Sequence, residues 1–337
     1  MTKVSWQTRT AVLYDAIQSG KLPAGANGGN AYDFNAAKVL QQSFDFHVDE
    51  KAVMKKNDSY LAYWWRMSHY SANAGIIISE PTPIVFGKKN KNAKTIAMIH
   101  HINDELAGSS LKHKWFFDRL KKRLLSEDLV ITVSSYWEKY LEKLGCRRIK
   151  IIYNAFDLSE FEISDQAVEA FKKENNFSSD VPIVYLGNAH KQKGVYEAYE
   201  ALKEKNYQLV MTGATNYAKD LPVKFLSLDR QNYIALLRAS NLVITLSRMN
   251  EGWNRIAHEA LICKTPVIGS GNGGMQELLD GAGQVTVKDP ALLGEKAELV
   301  MQNRQHYAER GYAYVKKFNM DYFKSEWIKT VQELTGE

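Results

Sequence analysis

Short apolar runs alternate with longer stretches of helical periodicity along almost the whole chain. In the first half, Thr10–Tyr14, Gly75–Ile78, Thr95–Ile99, Leu129–Val133 and Lys150–Tyr153 predict strands, with helices over Ala31–Gln42 and Tyr136–Leu144 between them. The second half predicts strands at Ile183–Leu186, Gln208–Thr212, Val223–Leu226, Leu242–Leu246 and Pro266–Ile268. Helices are predicted near Tyr196–Lys205, Asn232–Ala239, Arg255–Cys263 and Pro290–Arg304. Runs such as IVYLG and LVITL lack inside–outside alternation, as expected of parallel strands covered on both faces. Strand–helix alternation run through twice predicts an α/β fold of two Rossmann-like doubly wound domains facing a cleft. The polar stretch Asp157–Asp180 sets the break, giving a first domain over 1–160 and a second over 161–310. The amphipathic, aromatic-rich segment 311–337 either caps the second domain or crosses back to the first.

Composition narrows the class. The 337 residues are 45% apolar and 24% charged, enough apolar surface to offset the entropy of folding in two domains and too much for a disordered chain. Cys146 and Cys263 stand far apart without metal-ligand spacing, so a thiolate zinc or iron–sulfur site is not expected. No apolar run nears the roughly 18 residues of a membrane span, and the opening MTKVSWQ lacks an apolar signal core. The expectation is a cytoplasmic protein. Residues 1–150 hold 23 basic and 14 acidic side chains, whereas the remainder is slightly acidic. Such a basic half suits an anionic partner as well as it suits a merely solvated face. Leu111–Leu125 concentrates this charge, with Lys121, Lys122 and Arg123 beside Trp115, Phe116 and Phe117. It reads either as an ordinary domain helix or as a segment lying on an anionic membrane surface, at the inner face of the membrane.

Parallel α/β sheets bind ligands beyond the carboxyl ends of their strands, so candidate chemistry is sought there. After Leu242–Leu246 comes SRMNEGWNRIAHEALICKTPVIG, which turns at Glu251-Gly252 and enters a helix near Asn254. Backbone N–H groups of Gly252, Trp253 and Asn254 at a helix start suit an anion such as a diphosphate. Glu251 on the loop suits sugar hydroxyls and Glu259, a turn into the helix, suits ribose hydroxyls; alternatively Glu251 helps cap the helix and Glu259 is solvated. After Ile183–Leu186, LGNAHKQKG offers Gly187 for close backbone approach, Lys193 as a compact cation and Gly194 for a tight helix entry. In the first half, the turn Gly25–Asn30 precedes a helix, and His100 and His101 follow the strand Thr95–Ile99. No GKS/GKT, GxSxG or Asp-x-Asp motif occurs, so neither an obligatory divalent metal nor any other cofactor is expected.

The spacing of Glu251 and Glu259 in EGWNRIAHEALICKTPVIGS resembles that of the retaining nucleotide-sugar glycosyltransferases of family 4, which have the GT-B fold. The resemblance takes in LGNAHKQKGV, KFLSLDRQNYIALLRASNLVITLS and GNGGMQELL. In the first half it takes in Gly28-Gly29, IAMIHHIN, VITVSSYWEKYLEKLG and IKIIYNAFD. It implies an acceptor-side first domain and a second domain binding a UDP- or GDP-linked sugar, whose sugar moves with retention to a hydroxyl of a glycan or lipid-linked acceptor. Carried over by position, Glu259 holds the donor ribose and Glu251 the transferred sugar. Lys193, the backbone of Gly252, Trp253 and Asn254, and nearby Gly29 hold the diphosphate; Gly187 belongs to the same turn. His100 meets the donor sugar, and Gly273 and Gly274 approach it through backbone. On this basis Glu251, His100 and Lys193 are the catalytic candidates. Asn188 stands where the family usually has an arginine, and Arg255, Arg248 or Lys191 are candidates to replace that charge. An epimerase or phosphorylase of the same fold, or a non-catalytic nucleotide-sugar binding module, are the competing readings; nucleic-acid binding is not expected, since no motif for it occurs.

Overall fold

The computed structural model describes residues 2–23, 26–213 and 217–336. They form two compact units, one of residues 1–155 and 320–337, the other of residues 156–319. The chain therefore changes unit between Ala155 and Phe156, not after residue 160. It returns at Met320, not at 311, because Gly311 still lies inside the helix Arg304–Val315 of the second unit. The polar stretch expected to be the break instead forms the helix Asp165–Glu174, whose Val168 and Phe171 are buried.

Unit 1 is built on six strands: β1 Lys3–Gln7, β2 Asp45–Val48, β3 Ile76–Ser79, β4 Lys94–Ile99, β5 Leu129–Thr132 and β6 Ile149–Ile151. They lie in the order β2-β1-β3-β4-β5-β6. Every pairing is parallel, for example Val4 opposite Ile76 and Ile96 opposite Leu129. Thr10–Tyr14, expected as a strand, is the cap and first turn of the helix Ala11–Ser19. Leu13, Ala16 and Ile17 recur at helical spacing and are buried, which a five-residue window could not show. The closing helix Met320–Thr335 belongs to this unit. Its Phe323 and Trp327 pack on Tyr32 and Trp6, with ring centroids 5.0 to 6.4 Å apart.

Unit 2 repeats the plan with β7 Ile183–Asn188, β8 Gln208–Thr212, β9 Lys224–Leu226, β10 Leu242–Thr245, β11 Val267–Gly269 and β12 Val285–Thr286. The order is β12-β11-β10-β7-β8-β9, again all parallel. Val184, Leu186, Leu242, Ile244 and Ile268 are fully or almost fully buried, since helices cover both faces of the sheet. From β7 the chain winds outward through β8 to β9, and from β10 it winds the other way through β11 to β12. The neighbouring carboxyl ends of β7 and β10 are thus the switch point, where such a sheet leaves a crevice for ligand. Among the described residues no helix is long and apolar enough to cross a membrane.

Candidate active site

The loops leaving β7 and β10 are tied to one another at this switch point. The N–H of Arg248 donates to the carbonyl of Gln192 at 2.8 Å. Gly194 has φ +65°, and a Cβ there would stand 2.2 Å from the carbonyl oxygen of Leu246, so only glycine lets the two loops approach. The short 3-10 turn Lys191–Lys193 then aims Lys193 at the β10 loop, where its Nζ lies 2.6 Å from Oε1 of Glu251. Glu251 is 8% exposed, so its carboxylate faces this cation in a largely water-poor setting.

The β11 loop closes on the same residue. Gly274 N–H donates to the Glu251 carbonyl at 2.8 Å, and Glu251 N–H donates to the Asn272 carbonyl at 3.3 Å. Gly273 adopts φ +66° and ψ −139°, which L side chains hardly reach, and a Cβ there would sit 2.4 Å from the Glu251 carbonyl oxygen. A Gly273→Ala chain should therefore lose about 2–4 kcal/mol of stability through combined strain and clash. Urea unfolding checks this, and an unchanged midpoint would mean that the loop contact is not fixed.

Glu251 does not cap the helix Arg255–Ile262; Asn254 does, accepting from the N–H of Ala257 at 2.9 Å. Nor is Glu259 solvated. It is 6% exposed, and its Oε1 accepts from Arg230 Nη1 at 2.8 Å while Oε2 accepts from the Tyr233 hydroxyl at 3.1 Å. Burial, and next the Glu259 charge, push the Tyr233 hydroxyl well above its ordinary pKa. Two of the carboxylate's four lone-pair directions are thus used, leaving two for hydroxyls of a ligand. Trp253 contributes backbone only: its indole is buried, donating to Nδ1 of His258 at 3.1 Å and meeting the ring of Phe318.

Asn188 is exposed and lies over Gly213, and its neutral amide supplies no positive charge. Of the candidates to replace one, Arg248 is paired with Glu197 and Arg255 lies 4.2 Å over the ring of Phe156. Lys191 is exposed, two residues from Lys193, and among the described residues has no carboxylate in ion-pair reach.

Gly29 and His100 belong to unit 1, where they are neighbours. A Cβ on Gly29 would lie 3.4 Å from Cδ2 of His100. His100 follows β4, and its Nε2 lies 2.9 Å from Oδ1 of buried Asp33, a contact that sets the orientation of the ring. Gly29 and Asp33 share the helix Gly28–Ser43, which Asn27 caps through the Asn30 N–H. Gly25, in the same turn of the sequence, lies outside the described residues. At the end of β3, the Oε1 of Glu80 is enclosed without a hydrogen-bond partner. Burial, then nearby Asp33, push this carboxyl well above the usual range. Asp33, Glu80, Arg230 and Tyr233 were not legible as site residues, because each gains its place only through tertiary packing.

Residues 167–317 match the family model of the Glycosyl transferases group 1. Over 266 residues, 73% of this chain and 71% of the relative, the protein is 24% identical to MJ1178, an uncharacterized glycosyltransferase of Methanocaldococcus jannaschii. Sucrose-phosphate synthase from Thermosynechococcus elongatus superposes with a TM-score of 0.78 over 100% of both chains, at 18% identity. The fold is GT-B. Anabaena HepE, solved in complex with UDP-glucose, shares it with a TM-score of 0.74 over 99% of this chain and 100% of that one, at 16% identity. The matched family model covers most of unit 2, including Lys193, Glu251 and Glu259. Together these likenesses support a GT-B glycosyltransferase.

Proposed function

We propose that the protein is a retaining glycosyltransferase that moves a sugar from a UDP- or GDP-linked donor to a hydroxyl acceptor in glycan or glycolipid synthesis. The observation that carries this reading is the Lys193–Glu251 pair at the switch point of the unit 2 sheet, beside the start of the helix Arg255–Ile262. The N-terminal end of that helix and the Lys193 ammonium offer positive potential to a diphosphate. As the bond from sugar to diphosphate breaks, the leaving oxygen gains negative charge. Lys193 stabilises this charge more in the transition state than in the ground state. The sugar left behind has oxocarbenium character, which suits the adjacent Glu251 carboxylate, and the acceptor hydroxyl attacks the same face while its proton passes to the departing diphosphate oxygen. The reading needs no metal, because the diphosphate charge is met by Lys193, by backbone N–H groups and by Lys191.

Glu259 accepts from the ribose hydroxyls, with Arg230 and Tyr233 holding its carboxylate in place. A panel of UDP- and GDP-sugars followed by thermal shift tests the reading, since one of them should raise the melting temperature. Glu259→Gln should weaken that donor about 10- to 100-fold, the worth of charge-assisted hydrogen bonds. If none of the panel shifts the melting temperature, the proposal fails. If one binds without product forming on any hydroxyl acceptor, the protein is a binding module, the reading that Asn188 in place of arginine favours.

A further inference from the structure

We propose that unit 1 carries a membrane-docking surface, formed by the helices Tyr60–His69 and Leu111–Leu124, whose partner is the interface of an anionic lipid bilayer. The first helix buries Tyr63 and Met67 and turns the rest of its apolar residues outward. Leu61 is 69% exposed and Trp65 66%, with Tyr60 and Trp64 beside them. On the second helix Leu111 is 87% exposed, and Trp115 follows one turn on. Phe86 joins the two: the rings of Tyr60 and Trp115 lie 6.0 and 5.8 Å from it. Tyr60 and Trp115 are thus joined through Phe86, with further exposed apolar side chains beside each on its own helix, whereas large apolar residues left in water are ordinarily scattered singly.

The composition of the patch decides its partner. Tryptophan, tyrosine and leucine together suit the boundary of headgroups and acyl chains, where an apolar ring body and a polar ring edge are both satisfied. The surrounding charge is basic. Lys112, Lys114 and Lys122 are exposed on the second helix and, among the described residues, have no carboxylate in ion-pair reach, and Arg119 lies 5.7 Å over the Trp115 ring. Asp118 is the one acidic residue of that helix. Of the last-turn cations that stand out in the sequence, two are committed inside the protein. Lys121 pairs with Asp104 at 2.7 Å, and Arg123 donates to the carbonyls of Ile84 and Gly87. The lysines that remain complement lipid phosphates, and the proposal stands apart from the transferase reading because binding to vesicles involves no catalysis.

Flotation of the full chain with phosphatidylcholine vesicles, with and without phosphatidylglycerol, tests it. The protein should float with the anionic vesicles, and added salt should reduce the floated fraction. Lys112→Gln, Lys114→Gln and Lys122→Gln should each lower partitioning about fivefold. Leu61→Ser with Trp65→Ser should abolish flotation at an unchanged melting temperature, since neither side chain is in the core. Absence of flotation, equal flotation on phosphatidylcholine alone, or flotation that survives the serine pair would each overturn the proposal. So would a concentration-dependent dimer that the serine pair dissolves, which would make the patch a contact between copies of this chain.

Discussion

In a Lys193→Ala chain the rate of sugar transfer should fall about 10²- to 10³-fold, and the protein should also lose about 1–3 kcal/mol of stability. The two losses have different origins. The rate falls because the ammonium that meets the developing charge on the departing diphosphate is gone. Stability falls because Glu251, 8% exposed and 2.6 Å from that ammonium, loses this counter-charge while it stays buried. Lys193 itself is 30% exposed, so the lower half of the range is the better expectation. Adding Glu251→Gln should separate the effects. A neutral amide needs no counter-ion, so the double variant should regain most of the stability and none of the rate. Urea unfolding and initial-rate kinetics on the three chains read both. A double variant as unstable as the single one would show that the pair is a surface contact without electrostatic weight.

What was legible in the sequence follows from what local pattern can encode. Parallel strands buried on both faces are continuous apolar runs, so β4, β5, β7 and β10 were plain, and the doubly wound fold followed from their alternation with helices. β1 was missed because KVSWQ carries Ser5 and Gln7. Both are buried, and the Gln7 side chain is satisfied by Asp49 and Ser79, residues far along the chain. The placement of Lys193 and Glu251 at strand ends was also legible, since glycine and charge after an apolar run mark a ligand-facing loop. Their contact was not, since 58 residues separate them. Glu259 shows the same limit. Its position in a helix was readable, but its burial against Arg230 and Tyr233 depends on the helix Arg230–Ala239, 26 to 29 residues earlier. Trp253 looked like part of an anion-binding loop, and its ring instead anchors that loop in the core of unit 2.

Acid should unfold unit 2 through His258. This histidine is fully buried, accepts from the Trp253 indole and is ringed by Phe156 at 4.7 Å and Phe318 at 5.9 Å. Burial first, and the nearby Arg255 charge second, bring its pKa down from 6.5 to about 3, the Val315 backbone offsetting a part. The folded state therefore holds His258 neutral at pH values where the unfolded chain binds a proton. Its contribution is fully present above pH 6.5 and is lost as pH falls toward 3. The slope approaches about 1.4 kcal/mol per pH unit across that window, a few kcal/mol in all. Gln at this position keeps an acceptor for the Trp253 indole and cannot titrate. His258→Gln should accordingly be less stable than the parent at pH 7 and lose less on acidification, so that the two stability curves converge below pH 5. Chemical denaturation followed across pH 4 to 8 measures both curves. Parallel curves would place the acid sensitivity in other groups and remove His258 from the argument. Because Trp253 lies between Glu251 and the cap Asn254, protonation of His258 also bears on the candidate site. A charged imidazole would donate where it now accepts and the indole would lose its anchor, but the folded chain holds His258 neutral until pH nears 3, so donor affinity should stay level across pH 4 to 8 while stability falls.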